Sequence, residues 1–146
     1  MNKTIAEVIK ERGYCLLDPK GTSMYPLLRD DCGKVFIVAP EKPLKKYDIA
    51  LYVRADGSYI LHRVMDVTPD GYVMCGDNQW RLEYGVTHDM VIGRLDSWYK
   101  GKKRRSVTDK GYLRYTRFWC KSLKRRKRIL PILWKLRKLK GHLLRK

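Results

Sequence analysis

The stretch DIALYVRADGSYILHRVMDV, residues 48–67, decides the fold class. Two segments rich in β-branched and aromatic residues, 48–54 and 59–67, flank the tetrapeptide ADGS. An Asp-Gly pair between two such segments is typical of a tight turn, because glycine accepts the positive φ that the turn requires. The stretch therefore predicts a β-hairpin whose second strand carries a histidine, His62.

Further short segments of the same character surround this hairpin, separated by Gly, Pro and Asp. They are residues 14–18, 34–39, 72–75 and 91–99. Before them, residues 4–12 have the apolar spacing of a short helix, and Gly13 ends it. Short strands separated by Gly, Pro and Asp predict a mainly β, antiparallel domain. The helix over residues 4–12 precedes this domain.

Charge divides the chain unevenly. It has 146 residues and a net charge of +18. Residues 1–100 contain 14 basic and 14 acidic residues, whereas residues 101–146 contain 19 basic residues and one acid, Asp109. Apolar residues recur at helical spacing over 109–130 and again from Pro131. We therefore expect a β domain over 1–100 and a basic, amphipathic α-helical tail over 101–146.

Cysteine usage and hydropathy exclude some classes of site. The four cysteines form no CxxC pair, and no histidine cluster accompanies them, so the pattern indicates no metal site and no cofactor. No run of 18 apolar residues is present, so no transmembrane helix is expected.

A candidate nucleophile lies in GTSMYPLL, residues 21–28. A serine in a glycine-containing turn is more often structural, but Ser23 has two potential partners. His62 lies within a predicted strand, and Asp77 follows the next strand in VMCGDNQ. A weak hydroxyl nucleophile needs a base, and the base needs a group that orients it.

Five segments occur in an order that resembles type I signal peptidases. They are GTSMYP (21–26), DIALY (48–52), ILHRV (60–64), CGDN (75–78) and VIGR (91–94). The archaeal and endoplasmic-reticulum branch is the more similar one, because it has histidine where the bacterial branch has lysine. The resemblance covers about residues 14–99. It implies the antiparallel β fold that signal peptidases share with the SOS-repressor autoproteases, which use a lysine base.

The resemblance implies that Ser23 is the nucleophile and His62 the general base. The acid that orients the histidine is either Glu83, six positions after the Asp of GDN, or Asp77 itself, since either carboxylate can hold an imidazole tautomer.

Two neighbours of the serine also have implied roles. Gly21 stands where many family members have a serine that helps to stabilise the oxyanion. The Ser23 N–H, with the Thr22 hydroxyl, is therefore the expected oxyanion donor. Met24 is either part of the substrate-binding surface or a core methionine.

The basic tail allows three interpretations: a disordered charge run, a nucleic-acid site or an interfacial helix. Residues 132–144 place leucine and tryptophan on one side and Lys/Arg on the other, which favours binding of an anionic membrane surface by the 109–146 tail. Nucleic acid is the weaker candidate. We expect a cytoplasmic protein, peripheral on the inner face of the membrane.

The sequence as a whole predicts a serine-type endopeptidase that resembles signal peptidase I. Its substrate would be a polypeptide, cleaved in a precursor or leader segment. The alternative is a catalytically degenerate member of the fold that binds membranes, peptides or nucleic acid without cleaving them.

Overall fold

A computed structural model describes residues 2–145. Helix α1 spans Ile5–Arg12, α2 spans Lys110–Cys120, α3 spans Leu123–Leu143, and a short 3-10 helix spans His88–Met90. The strands are β1 (Tyr14–Leu17), β2 (Cys32–Val38), β3 (Ile49–Val53), β4 (Tyr59–Thr68), β5 (Gly71–Cys75), β6 (Glu83–Thr87), β7 (Val91–Lys100) and β8 (Lys103–Ser106). The prediction of a mainly antiparallel β domain with an N-terminal helix and C-terminal helices is confirmed.

Strand β3 lies at the centre of the sheet. The strand order is β1-β2-β7-β3-β4-β5-β6, with β8 paired to β7, and every pairing is antiparallel. Alternate β3 residues enter two separate cores: Ile49 and Leu51 pack on one face, and Ala50 and Tyr52 on the other. A strand that is buried on both faces reads as a continuous apolar run, which is what the sequence IALYV shows.

The predicted hairpin fixes the register that matters for the site. Gly57 takes φ +85° in the turn, as the Asp-Gly pair requires. The resulting register pairs Ala50 with His62 and Ile49 with Arg63. Because successive side chains of a strand point to opposite faces, His62 and Arg63 leave the sheet on opposite sides.

Helix α1 ends where the sequence predicts and begins one residue later, at Ile5. Thr4 caps the N-terminus and forms a capping box with Glu7, so two backbone N–H groups that lack helical partners are satisfied. Gly13 ends the helix with φ +83°, a left-handed conformation that glycine adopts without strain. The helix packs Ile9 into the core beside β7.

The composition boundary at Gly101 lies in a turn within the sheet, because Lys100 pairs with Lys103 across the β7–β8 hairpin. The segment 101–146, expected as a helical tail, therefore contributes a strand before its helices. Its helices also divide differently from the expectation of one helix over 109–130 and another from Pro131. The break comes at Lys121, Ser122 caps α3, and α3 continues through Pro131.

Helix α2 and one side of α3 pack against the β domain. The Trp119 indole donates to the backbone carbonyl of Asp77 at 2.9 Å. Arg126, with 1% of its surface exposed, donates to the carbonyls of Gly76, Gln79 and Trp119. The loop that follows β5 is thus held by the C-terminal helices, a long-range contact that a charge pattern does not reveal.

Candidate active site

Ser23 lies in the turn between β1 and β2 and is half-buried. The turn is closed by a hydrogen bond from the Tyr25 N–H to the Thr22 carbonyl at 3.0 Å. Across the site, the Asn78 N–H donates to the Ser23 carbonyl at 2.9 Å. The GTSMYP and CGDN segments are therefore joined directly at the serine.

Gly76 lies against both the Ser23 backbone and the His62 ring. A Cβ atom placed on Gly76 would lie 2.5 Å from the Ser23 carbonyl oxygen and 3.1 Å from His62 Nε2. The first distance leaves no room for a side chain and the second is tight, so glycine allows the serine loop and the imidazole to lie on either side of this residue. Nε2 is thus the ring nitrogen that faces the serine loop.

The other ring nitrogen of His62 faces a chain of polar side chains. Its Nδ1 lies 3.3 Å from the Tyr52 hydroxyl, which donates to Glu83 Oε1 at 2.9 Å. Glu83 Oε1 is 4.0 Å from Nδ1, which is too long for a direct hydrogen bond. Arg54 binds both oxygens of Glu83 and so fixes its orientation.

The charges in this chain follow from burial and from Arg54. Burial lowers the pKa of His62 to about 4, although the Glu83 charge opposes the shift, so the imidazole is neutral at physiological pH. Burial raises the pKa of Glu83, but hydrogen bonds from Arg54 and Tyr52 and the charge of Arg54 outweigh it, and the pKa is lowered overall. A neutral base thus lies near an ionised carboxylate.

Asp77, the other candidate acid, is fully buried on a different face. It forms a two-pronged ion pair with Arg63 at 2.8 and 2.7 Å, and Tyr115 donates to it at 2.7 Å. Burial raises the pKa of Asp77, but the charge and hydrogen bonds of Arg63 outweigh it and lower it overall. No hydrogen bond joins Asp77 to His62 in the described part of the chain. Of the two candidates, Glu83 is the carboxylate near His62.

A cavity of about 630 Å³ opens beside the serine. Ser23, the exposed Thr22 and the buried Met24 all line it, and Met24 is also part of the core beneath. Six aliphatic side chains form the apolar part of the wall: Leu17, Leu28, Val35, Ile37, Leu51 and Leu61. Five charged residues also line the cavity: Asp18, Lys20, Arg29, Asp30 and Arg137. The cavity can take an apolar group attached to an extended chain, and His62 does not line it.

Ser23 and His62 both lie against Gly76 but are not hydrogen-bonded to each other. Within residues 2–145, the Ser23 hydroxyl donates to no side chain, and its backbone N–H makes no hydrogen bond either. Hydrogen bonds of a catalytic pair often form only when substrate is bound. An unpaired N–H at the candidate nucleophile is free to donate a hydrogen bond to an oxyanion.

Two residues of this arrangement, Tyr52 and Arg54, were missed in the sequence. Both lie on β3 within DIALYVR. The hairpin register contains the signal for Tyr52, because pairing Ala50 with His62 places Tyr52 diagonally across from the histidine on the same face. Arg54 follows the end of the strand, where its reach to Glu83 depends on β6, a strand the sequence analysis did not predict.

Comparisons and searches for other site types add no further assignment. No protein-family model, no curated protein and no solved structure matches this chain. Residues 2–145 contain no group of three or more His, Cys, Asp or Glu side chains placed to hold a metal ion. Nor does any helix in that range have the length and hydropathy needed to cross a membrane.

Proposed function

We propose that this chain is a serine endopeptidase of the signal-peptidase type, with Ser23 as nucleophile and His62 as general base. The observation that supports it is the position of His62. One ring nitrogen faces the serine loop across Gly76, and the other faces a chain that ends at Glu83. Glu83 is the acid of this proposal, and Asp77 has a structural role.

The proposed reaction uses these groups in order. Ser23 Oγ attacks the carbonyl carbon of the scissile bond while His62 Nε2 accepts the hydroxyl proton. The Ser23 N–H, with the Thr22 hydroxyl, stabilises the oxyanion. His62 then returns the proton to the leaving amine as the C–N bond breaks, and water hydrolyses the acyl-enzyme by the same route. Glu83 favours the imidazolium that forms at each step.

A fluorophosphonate probe, which phosphonylates activated serines, tests this proposal. We expect wild-type protein to be labelled on Ser23, as located by mass spectrometry of its peptides, and Ser23→Ala and His62→Ala to be unlabelled. Two matched variants should keep full labelling: Ser58→Ala, a serine in the hairpin turn, and His88→Ala, a histidine that also contacts a tyrosine. Wild-type protein that stays unlabelled from about pH 6 to about pH 9 would contradict the proposal.

The outward side of α3 supports a second proposal, association with a membrane surface. The residues at i, i+4, i+7 and i+11, Ile132, Leu136, Leu139 and Leu143, lie on one helix face and are 57–76% exposed. Three lysines flank this face, Lys135, Lys138 and Lys140. An apolar stripe flanked by cations matches the headgroup boundary of an anionic bilayer.

The inward side of the same helix is anchored on the domain, so the stripe is held facing away from it. Leu130 is fully buried, Trp134 stacks on Trp80 at 5.8 Å, and Arg137 pairs with Asp30. Arg137 and Asp30 also line the cavity beside Ser23. We therefore place the protein peripherally on the inner, cytoplasmic leaflet, where anionic lipids concentrate. The cavity would then lie close to substrates held at that surface.

Vesicle cosedimentation tests the membrane proposal. We expect binding to vesicles that contain about one third phosphatidylglycerol and none to pure phosphatidylcholine. The double variant Leu136→Ser/Leu139→Ser should lose binding, whereas Tyr84→Ser, which removes an exposed aromatic side chain from β6, should not. Binding to single-stranded nucleic acid with none to anionic vesicles would assign the basic surface to nucleic acid instead.

A further inference from the structure

Tyr52 lies between the two titratable groups of the proposed site. Its side chain is fully buried at the centre of the sheet, and its hydroxyl is 3.3 Å from His62 Nδ1 and 2.9 Å from Glu83 Oε1. A buried hydroxyl needs hydrogen-bond partners, and this one has a partner on each side.

The direction of both hydrogen bonds follows from counting protons. An ionised Glu83 has only acceptor atoms, so the single Tyr52 proton is donated to it. The hydroxyl can then only accept from His62, which means that Nδ1 carries the imidazole proton. In a neutral imidazole the other nitrogen has no proton, and that nitrogen, Nε2, faces the serine loop across Gly76.

We propose that Tyr52 is a positioning residue that fixes the Nδ1–H tautomer of His62 and transmits the orientation of Glu83 to it. The tautomer follows from the hydrogen bonds and the charge of Glu83, and only its kinetic consequence rests on the proposed peptidase function. With Nδ1 protonated, Nε2 has the lone pair that a general base needs. The opposite tautomer would turn an N–H toward the serine and could accept no proton from it.

Arg54 explains why the carboxylate acts through Tyr52 and not directly. It binds both Glu83 oxygens and holds the carboxylate where Oε1 remains 4.0 Å from Nδ1. Burial raises the pKa of Tyr52 far above its usual value, as does the hydrogen bond to Glu83. The hydroxyl therefore keeps its proton at physiological pH.

A second histidine–tyrosine pair in the chain gives an internal control with the opposite proton arrangement. His88 Nε2 lies 3.2 Å from the Pro69 carbonyl, an acceptor, so Nε2 must carry the proton. Nδ1 of His88 then accepts from the Tyr72 hydroxyl at 3.0 Å, and that hydroxyl itself accepts from the Leu44 N–H. The structure thus assigns Nδ1–H to His62 and Nε2–H to His88.

Nitrogen-15 NMR of the histidine side chains measures this directly, because protonated and bare ring nitrogens have well-separated chemical shifts. At neutral pH we expect His62 to show Nδ1–H and His88 to show Nε2–H in the wild-type chain. Tyr52→Phe should allow the Nε2–H form of His62 to appear and leave His88 unchanged, whereas Tyr72→Phe should leave His62 unchanged. Nε2–H at His62 in wild type, or no change in Tyr52→Phe, would overturn the proposal.

Probe labelling measures the kinetic consequence. Tyr52→Phe should slow fluorophosphonate labelling of Ser23 on the order of 10- to 100-fold, because loss of the correct histidine tautomer is costly in triad enzymes. Tyr72→Phe should label at the wild-type rate. Labelling of Tyr52→Phe at the wild-type rate would overturn the positioning role. An Nδ1–H tautomer in a wild-type protein that the probe never labels would refute the peptidase function and support the tautomer assignment.

Discussion

Two carboxylates six residues apart, Asp77 and Glu83, occupy sites that are alike in composition and different in environment. Each is bound by an arginine and a tyrosine: Arg63 and Tyr115 at Asp77, Arg54 and Tyr52 at Glu83. Each carboxylate lies near one member of the neighbouring pair His62–Arg63: Asp77 binds Arg63, and Glu83 lies near His62. The side chains of this pair leave β4 on opposite faces. The Asp77 face is completely buried, whereas the Glu83 side chain is 29% exposed.

The two ion pairs differ in burial: Arg63–Asp77 is completely buried, whereas Arg54–Glu83 is partly exposed to solvent. At Asp77 the loop after β5 is joined to α2, because Tyr115 donates to the carboxylate and Trp119 to the backbone carbonyl. In residues 2–145 no histidine is hydrogen-bonded to this carboxylate. At Glu83 the carboxylate has a neutral histidine near it, and His62 adjoins the serine loop. Burial and ion pairing alone would have selected Asp77 as the perturbed, functional group. Under the proposed function, the position of His62 favours Glu83 instead.

The largest expected effect compares the two arginines. Arg63→Met leaves Asp77 as an uncompensated buried charge and should lower the free energy of unfolding by about 3–5 kcal/mol. Arg54→Met breaks a partly exposed pair and should cost less than about 1 kcal/mol. Urea titrations followed by tryptophan fluorescence measure both. Equal losses of unfolding free energy in the two variants would show that the buried and the partly exposed ion pair contribute equally to stability.

The second effect is a loss of stability in mild acid that comes from His62. Its pKa is about 4 in the folded chain and 6.5 in an unperturbed one, so between these values the unfolded chain binds more protons. The contribution is therefore present in full above the higher value and is lost as the pH falls to the lower. It amounts to about 3 kcal/mol for a buried group, at 1.36 kcal/mol per pKa unit.

The carboxylates respond at lower pH, which makes the two faces separable. The pKa values of Asp77 and Glu83 are both lowered, so their contributions are present above their ordinary values of 3.8 and 4.5 and decrease only below them. Urea midpoints between about pH 5 and 6.5 should thus fall with acid in wild type and in His88→Gln, but much less in His62→Gln. An unchanged slope in His62→Gln would contradict the assignment.

The third prediction concerns Gly76, the residue that adjoins both sites. Gly76→Ala places a methyl group 2.5 Å from the Ser23 carbonyl oxygen, so the serine loop must move. We expect a loss of stability of about 1–3 kcal/mol together with loss of Ser23 labelling in the folded protein. Gly111→Ala is a suitable control, since a Cβ there meets no atom within 4 Å. Full labelling of Gly76→Ala would show that the reactivity of Ser23 does not require the close packing of the serine loop against Gly76.

Much of the architecture follows from local sequence signals. The Asp-Gly turn between two segments rich in β-branched and aromatic residues predicts the central hairpin, and the register of that hairpin fixes the faces on which His62 and Arg63 lie. Apolar spacing over residues 4–12 predicts α1, and Gly13 predicts its end. These features depend on residues close in sequence, so a single sequence contains enough information to place them.

The features that the sequence did not reveal depend on contacts between distant segments. Strand β8 is rich in Lys and Arg and has no apolar pattern, and it is a strand only because β7 offers it a partner. Likewise, Arg126 was counted as tail charge, yet it is buried against carbonyls 47 and 50 residues away. The choice between Asp77 and Glu83 needed the same kind of information, namely which face each carboxylate reaches.

The smallest change in stability is expected for Glu83→Gln, and this variant tests most directly whether Glu83 and Asp77 have different roles. Glu83→Gln keeps an acceptor for Tyr52 and Arg54 and removes only the negative charge, so the free energy of unfolding should change by less than about 1 kcal/mol. Labelling of Ser23 should nevertheless slow by about tenfold, because the imidazolium that forms at His62 loses its nearest anion.

Asp77→Asn, the matched substitution at the other site, should show the reverse behaviour. It leaves Arg63 buried without a counter-charge and should cost several kcal/mol, on the order of the loss in Arg63→Met. The fraction that remains folded should label at the wild-type rate, because Asp77 makes no hydrogen bond to His62 in the described residues. If Asp77→Asn slowed labelling of the folded protein and Glu83→Gln did not, the roles of the two carboxylates would have to be exchanged.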